Sequence, residues 1–255
     1  MIKASDNTGV FCFLRIMALP FFYIENLEQQ LIVLDEDTSK HIISVLRMQK
    51  GEEVLLTDGK GTKATASIID DNRKRCAVQI TNIEKEERSK AKVTIAISII
   101  KNASRFEWFL EKATEIGVTE IIPLLCERTE KEKFRYDRMN GILISAMLQS
   151  QQTWLPVLDQ PTGFKTIIEE ATHKNKFIAH CLPDEKTQLS SVTTHLSTAN
   201  EPLRTILLVG PEGDFTPAEI KAALTAGFLP VALGNTRLRT ETAGIVAAAL
   251  LCNTF

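Results

Sequence analysis

The sequence predicts an α/β chain in two parts, a small β-barrel followed by a larger unit of parallel strands with helices on both faces. Three observations predict it. Short alternating segments with turn signals fill the region from Phe21 to about Glu84, and unalternating apolar strands separated by helical stretches follow. Between them the run Glu84-Lys85-Glu86-Glu87-Arg88-Ser89-Lys90 is charged and lacks an apolar period, which marks a solvated linker.

Residues 1–16 (MIKASDNTGVFCFLRI) precede a second methionine, Met17. They read as an extension that is not native, or as an extra ordered edge segment, and they lack the basic, apolar and small-residue series of a signal peptide. Residues 17–88 form the barrel. Glu53-Val54-Leu55-Leu56-Thr57 and Ala64-Thr65-Ala66-Ser67-Ile68-Ile69 flank Asp58-Gly59-Lys60-Gly61, an Asp-Gly hairpin signal, and Cys76 to Ile80 continues the meander after a polar turn. A helix-like interval from Ser39 to Met48 interrupts it.

Residues 89–255 form the α/β unit. Val93 to Ile100 and Ile121 to Leu125 are apolar strands. Between them Ser104 and Glu107 have capping-box spacing, Phe106, Phe109, Leu110, Ala113 and Ile116 make an apolar stripe, and Gly117 supplies a stop. Helices are expected over Tyr136 to Gln152 and Phe164 to Ala171, with a strand at Lys176 to His180. Asp184 to Pro202 is polar and poorly periodic. Strand Thr205 to Val209 then leads into Gly210-Pro211-Glu212-Gly213. Thr216 caps the next helix, with Pro217 at its first position, Glu219 completing a capping box and Gly227 ending it. Strand Leu229 to Leu233 reaches Gly234, and Thr240 caps a small-residue helix from Glu241 to Leu251.

Composition narrows the class without choosing a partner. With 255 residues, 44% hydrophobic and 24% charged, the chain can bury a full core, and its net charge of −2 excludes a surface uniformly coated in positive charge. Local basic patches stay open. Five scattered cysteines without a CxxC pair fit a reducing, cytoplasmic setting and argue against a disulfide framework or a zinc site. No apolar run is long enough to cross a bilayer. The four histidines lack metal-ligand spacing, so no metal is expected, and there is neither a P-loop nor a nucleophile elbow. Gly59-Lys60-Gly61-Thr62-Lys63-Ala64 formally matches a dinucleotide fingerprint, but an alternating strand follows it where a helix would be needed. It reads as a hairpin.

The two C-terminal loops carry the chemistry. Both lie at the C-terminal ends of strands, where open α/β sheets bind ligands, and glycine lets the backbone come close to such a ligand. An ordinary βα turn is the plainer alternative for each, and Arg239 with Glu241 could be a surface ion pair. Against that stands the gathering of a carboxylate, an arginine and hydroxyls at one place, which suits a small polar ligand.

GPEGDF followed by LGNTRLRTETA resembles the signature of the ribosomal RNA small-subunit methyltransferase E family, uridine-N3 methyltransferases of the SPOUT superfamily. The likeness runs from about Phe21. Phe106-Glu107-Trp108 through Lys112 to Gly117, Ile122-Pro123-Leu124 and Glu127-Arg128 are similar to the family's first βα unit, and His41, Val45-Leu46-Arg47 and Asp58-Gly59 to its N-terminal domain. The resemblance implies a PUA-like RNA-binding barrel, a SPOUT α/β domain with a deep trefoil knot, and a homodimer acting on small-subunit rRNA. It also implies that S-adenosylmethionine is held by three loops: His180-Cys181-Leu182-Pro183, Val209-Gly210-Pro211-Glu212-Gly213, and Leu233-Gly234 with Leu238, Arg239, Thr240, Thr242 and Ala243. Two positions depart from the family pattern. Asp214 stands where glycine is more usual, and Leu148-Gln149-Ser150-Gln151-Gln152 replaces an EQS-x-x-R-like stretch.

N3 of uridine keeps its proton at neutral pH and is a poor nucleophile until that proton leaves. Arg239 is therefore the candidate to stabilise charge on a uracil oxygen, with Glu241 or Glu212 orienting the base or taking the proton. Arg47 and Lys50 in the barrel, with Lys101, Arg105 and Arg128 near the strand ends, are the candidates for RNA phosphates. Singly, each also suits a solvated surface. The competing reading keeps the fold without catalysis, as an RNA-binding ribosome-assembly factor.

Overall fold

The computed structural model describes residues 19–130, 133–183, 185–196 and 204–252. The proposed extension, residues 1–16, lies outside them. In the first part, β1 (Phe21–Tyr23), β2 (Leu31–Val33), α1 (Glu36–Lys40), a π-helical turn (His41–Val45), β3 (Glu53–Thr57), β4 (Thr62–Asp70) and β5 (Ala77–Lys85) follow in order. The strands form one sheet in the order β1-β3-β4-β5-β2, antiparallel except for β1 on β3. Alternation decides which side is buried. Val54 and Leu56, Ala64, Ala66 and Ile68, and Val78 and Ile80 face one core, closed by Ile42 from the π-helical turn. Among the described residues β1 and β2 do not pair, so hydrogen bonds do not close the expected barrel. Its strands and hairpin are otherwise present.

The hairpin is built by Asp58 and two left-handed glycines. Asp58 Oδ1 accepts from the amides of Lys60 at 2.7 Å and Thr62 at 3.1 Å, while Gly59 and Gly61 take φ of 68° and 89°. The fingerprint-like Gly59 to Ala64 is thus a turn. It docks on the second part: Gly61 N donates to Thr153 O at 3.0 Å, Leu155 N to Gly59 O at 2.9 Å, and a Cβ on Gly61 would lie 2.4 Å from the Trp154 ring.

The second part continues with β6 (Lys92–Ser98), α2 (Ala103–Ile116), β7 (Glu120–Leu125), α3 (Tyr136–Gln149), β8 (Val157–Leu158), β9 (Thr162–Gly163), α4 (Phe164–Glu170) and β10 (Asn175–Ala179). Then come β11 (Thr187–Gln188), α5 (Leu189–Leu196), β12 (Arg204–Val209), α6 (Pro217–Thr225), β13 (Leu229–Ala232) and α7 (Thr240–Cys252). Every pairing is parallel, in the order β11-β13-β10-β12-β6-β7-β8, with β9 also on β7. Both faces are covered, which explains the unalternating strands. Val93, Ile95, Ile97, Leu207 and Val209 pack on Phe106, Phe109, Leu110 and α7; Ala96, Leu124, Ile206 and Leu208 pack on Phe164, Phe215, Ile220 and Phe228.

Three local expectations need correction. The cap of α2 is Asn102, whose Oδ1 accepts from Ser104 N at 3.0 Å, while Glu107 turns outward to Arg138 at 2.6 and 2.9 Å. An arginine outcompetes a capping box that leaves a charge seeking a partner. Helix α7 begins at Thr240 itself, and that hydroxyl donates to Gly210 O at 3.1 Å instead of capping. Within the stretch from Asp184 to Pro202, the described residues hold β11 and α5, too short and too polar to show a period.

Candidate functional site

All the strands of the α/β sheet end their C-termini on one side, and there the loops after β10, β12 and β13 meet. Helix α6 fixes the middle loop. Thr216 Oγ1 accepts from Glu219 N at 3.2 Å and Glu219 Oε2 from Thr216 N at 2.8 Å, the expected capping box with Pro217 at its first position. Glu219 reaches further, accepting Glu127 N at 2.9 Å, and Thr216 Oγ1 donates to Glu127 Oε2 at 3.2 Å. Arg128 Nη1 donates to Gly213 O at 2.7 Å. The loop after β7 therefore braces the loop after β12.

Between the three loops lies a two-lobed cleft. One lobe, of about 330 Å3, is lined by Arg105, Val209 to Glu212, Asp214 and Arg239 among others; the second, of about 370 Å3, takes His180, Lys186, Leu233, Gly234 and Asn235. Ala179, Cys181, Arg237, Leu238 and Ala243 line both. Thr240 lines the first. Gly234 keeps a φ of 149° with open space where a side chain would be.

Most of the residues assigned to cofactor loops meet here. Leu182, Pro183, Gly213 and Thr242 belong to the same loops and helix end but do not line either lobe. Leu182 O accepts from Lys186 Nζ, as does His180 O at 2.9 Å, so that lysine pins the first loop. Asp214 cross-links the first and second loops: its Oδ2 accepts from Cys181 N at 2.8 Å and its Oδ1 from Phe215 N at 2.9 Å.

The charged candidates divide. Glu212 and Arg239 are exposed at the cleft. Glu241 is not among its lining: it is 5% exposed, its Oε1 lies 3.7 Å from Arg105 Nε, and its Oε2 is buried without a hydrogen-bond partner. Its nearest service is to Arg105. Arg105, assigned to RNA, lines the first lobe because α2 starts directly above the end of β6. Arg128 is occupied by Gly213, and Lys101 pairs with Glu130 at 2.7 Å, which holds its ammonium above the usual lysine range. Arg47 and Lys50 are exposed in the first part, away from the cleft lining. Sequence reasoning did not assign Ala179, Lys186, Asn235 and Arg237; the signal for Asn235 and Arg237 was their place inside LGNTRLRTETA, and for Ala179 its place at a strand end. Gln152 makes a structural contact, its Nε2 donating to Thr114 O at 2.8 Å at the end of α2.

Comparison with known proteins gives the family. Residues 86–252 match the model of the RNA methyltransferase domain and residues 34–81 that of the RNA methyltransferase PUA domain. The ribosomal RNA small subunit methyltransferase E of Synechocystis sp. is 31% identical over 229 residues, covering 88% of this chain and 74% of the relative. A probable rRNA-methyltransferase from Porphyromonas gingivalis superposes with a TM-score of 0.81 at 38% identity, covering 90% of this chain and 95% of the other. A ribosomal RNA small subunit methyltransferase E from Neisseria gonorrhoeae, solved bound to S-adenosyl methionine, gives 0.78 at 30% identity, covering 91% and 95%. With a PUA-like sheet ahead of an α/β methyltransferase domain, the chain belongs to the ribosomal RNA small-subunit methyltransferase E family.

Proposed function

We propose that the protein transfers the methyl group of S-adenosylmethionine to N3 of a uridine in small-subunit rRNA. The observation that carries this is the two-lobed cleft at three loop ends, with both carboxylates and arginines in its lining. The cofactor suits that donor set. Glu212 and Asp214 offer negative charge to its cationic sulfonium and ammonium groups, Arg237 and Arg105 offer positive charge to its carboxylate, and the backbone of Leu233, Gly234 and Leu238 lines the remaining lobe. When bound, it supplies an electrophilic methyl.

The chain's own residues supply the rest. Arg239, exposed at the first lobe, stabilises the negative charge that develops on a uracil oxygen as N3 loses its proton. Glu212, on the same lobe and open to solvent, orients the base and accepts that proton. Glu241 holds Arg105 at the cleft wall, so its place is behind the reacting groups.

The domain division at residue 88, the trefoil knot and the homodimer belong to this proposal too. Helix α7 follows β13, yet it packs across the sheet on Ile97 and Phe109, where a Cβ on Gly244 would approach to 2.8 and 2.6 Å, and Thr240 is tied to Gly210. A chain that returns behind the loop of Gly210 supports threading. Half-buried Val246, outside the core cluster that Ile245 and Leu250 join, adds an apolar position beside the core face of α7, which favours a second copy against it.

The test is methyl transfer to small subunits from cells lacking this activity, with reverse-transcription stops mapped afterwards. A single new stop at a uridine supports N3 methylation. Cofactor binding without any new stop favours the assembly-factor reading.

A further inference from the structure

Positive charge also gathers at the far ends of the strands, where the methyl-transfer cleft makes no use of it. Arg88 from the linker, Lys92 at the start of β6 and Arg204 at the start of β12 line a cavity of about 220 Å3 with Thr94, Glu120 and His173. Lys92 and Arg204 are register partners on adjacent strands, so their side chains share one face. Like charges placed side by side cost stability unless an anion lies between them.

No carboxylate of the described residues forms an ion pair with any of these three cations. The acid in the cavity bonds to its neutral neighbours through one oxygen. Glu120 Oε2 accepts from Thr94 Oγ1 at 2.5 Å; having donated its one hydrogen there, Thr94 takes the Nε2–H of His173 at 3.1 Å. These hydrogen bonds engage Glu120 Oε2 with Thr94 and, through it, His173, and with none of the three cations. Arg88 is held in place by Trp154, its guanidinium carbon 5.3 Å from the ring centre. The cavity is smaller than the roughly 300 Å3 at which ordinary ligand pockets begin. A single phosphoryl group is the chemistry that fits.

We propose that this cavity is a phosphoryl site that holds a backbone phosphate of the substrate RNA. The inference rests on the RNA methyltransferase family and not on the uridine-N3 assignment. A polymer is favoured over a free ion because the cavity continues, through Arg88 and Thr119, into a groove along the linker past Trp154 to Pro156. Since β6 has seven residues at about 3.3 Å each, the phosphate sits roughly 20 Å from the methyl-transfer cleft. RNA that reached both would cross the side of the sheet.

The test is a salt titration of binding to deproteinised small-subunit rRNA by the whole protein and by Lys92→Ala/Arg204→Ala. Both positions are exposed at strand starts, and Arg88→Gln in the linker is an independent variant. The expected result is a slope of log affinity against log salt that is shallower by about 1, as for one lost phosphate contact. Lys92→Arg/Arg204→Lys should restore it, with cofactor affinity by calorimetry constant throughout. An unchanged slope in both alanine and glutamine variants overturns the proposal. Inorganic phosphate that raises the melting temperature of wild type only, beside unchanged RNA slopes, assigns the site to free phosphate and overturns the RNA source.

Discussion

Asp214 accepts the amide of Cys181 at 2.8 Å and so ties the loop after β12 to the loop after β10. Its φ of 63° lies in the left-handed region that favours glycine, costly for most side chains and tolerable for Asp. Here the carboxylate gives something glycine cannot. Replacing Asp214 with Ala should raise the S-adenosylmethionine dissociation constant about tenfold, because a charge-assisted bond worth roughly 1.5–3 kcal/mol no longer orders the first loop. Asp214→Asn, which keeps an acceptor oxygen, should lose less. Calorimetric titration reads both; equal affinities in all three proteins would remove the clamp from the site.

Arg239 faces the cleft while Glu241, two residues on, turns inward to Arg105. Removing the guanidinium should therefore lower methyl-transfer turnover by about 100- to 1000-fold with little change in cofactor affinity. Single-turnover methylation of small subunits measures it. Turnover within a few-fold of wild type would assign the charge-stabilising role to another group.

Burial separates the thiols. It pushes Cys126 and Cys252 up to about 12 and Cys76 up to about 11, whereas Cys181 is exposed at the cleft. Among these four, Cys181 should react first with a disulfide reagent at pH 8, and saturating cofactor should slow it. Peptide mapping of the modified thiol gives the order. Labelling of Cys126 at a similar rate in the folded protein would contradict the burial.

The path of the backbone at Gly61 predicts a stability effect. A methyl group there would lie 2.4 Å from Trp154 and 2.7 Å from Glu86 O, on a residue whose φ is 89°. Gly61→Ala should cost about 2–4 kcal/mol, from overpacking and from the left-handed backbone together. A urea unfolding midpoint reads it. A midpoint like that of wild type would mean that the hairpin does not dock on Trp154.

Local signals were legible wherever neighbours in sequence act on one another. Thr216, Pro217 and Glu219 announced α6, Asp58 and Gly59 announced the hairpin, and the glycines after β12 and β13 pointed to the cleft. Contacts between distant segments were not. Asp214 with Cys181, and Arg105 with Glu241, require the strand order before they can be seen, and Arg105 reads as a surface cation until α2 is placed above the end of β6. The capping-box reading at Ser104 failed because Asn102, two positions earlier, is an equally good cap and Arg138, on another helix, claims Glu107. Arg88 and Lys92 share one stretch of sequence, but Arg204 joins them only through the pairing of β12 with β6, so no sequence window contains their cavity.

The pairing of β6 with β12 joins segments far apart in the sequence of the α/β unit, whereas β3, β4 and β5 pair through adjacent hairpins. Closing a long loop delays contact formation, so the two parts should fold on different clocks. Pulsed hydrogen exchange during refolding should protect Val54 and Val78 before Ile95 and Leu207. The PUA-like part then becomes ordered while the cleft between the three loops does not yet exist.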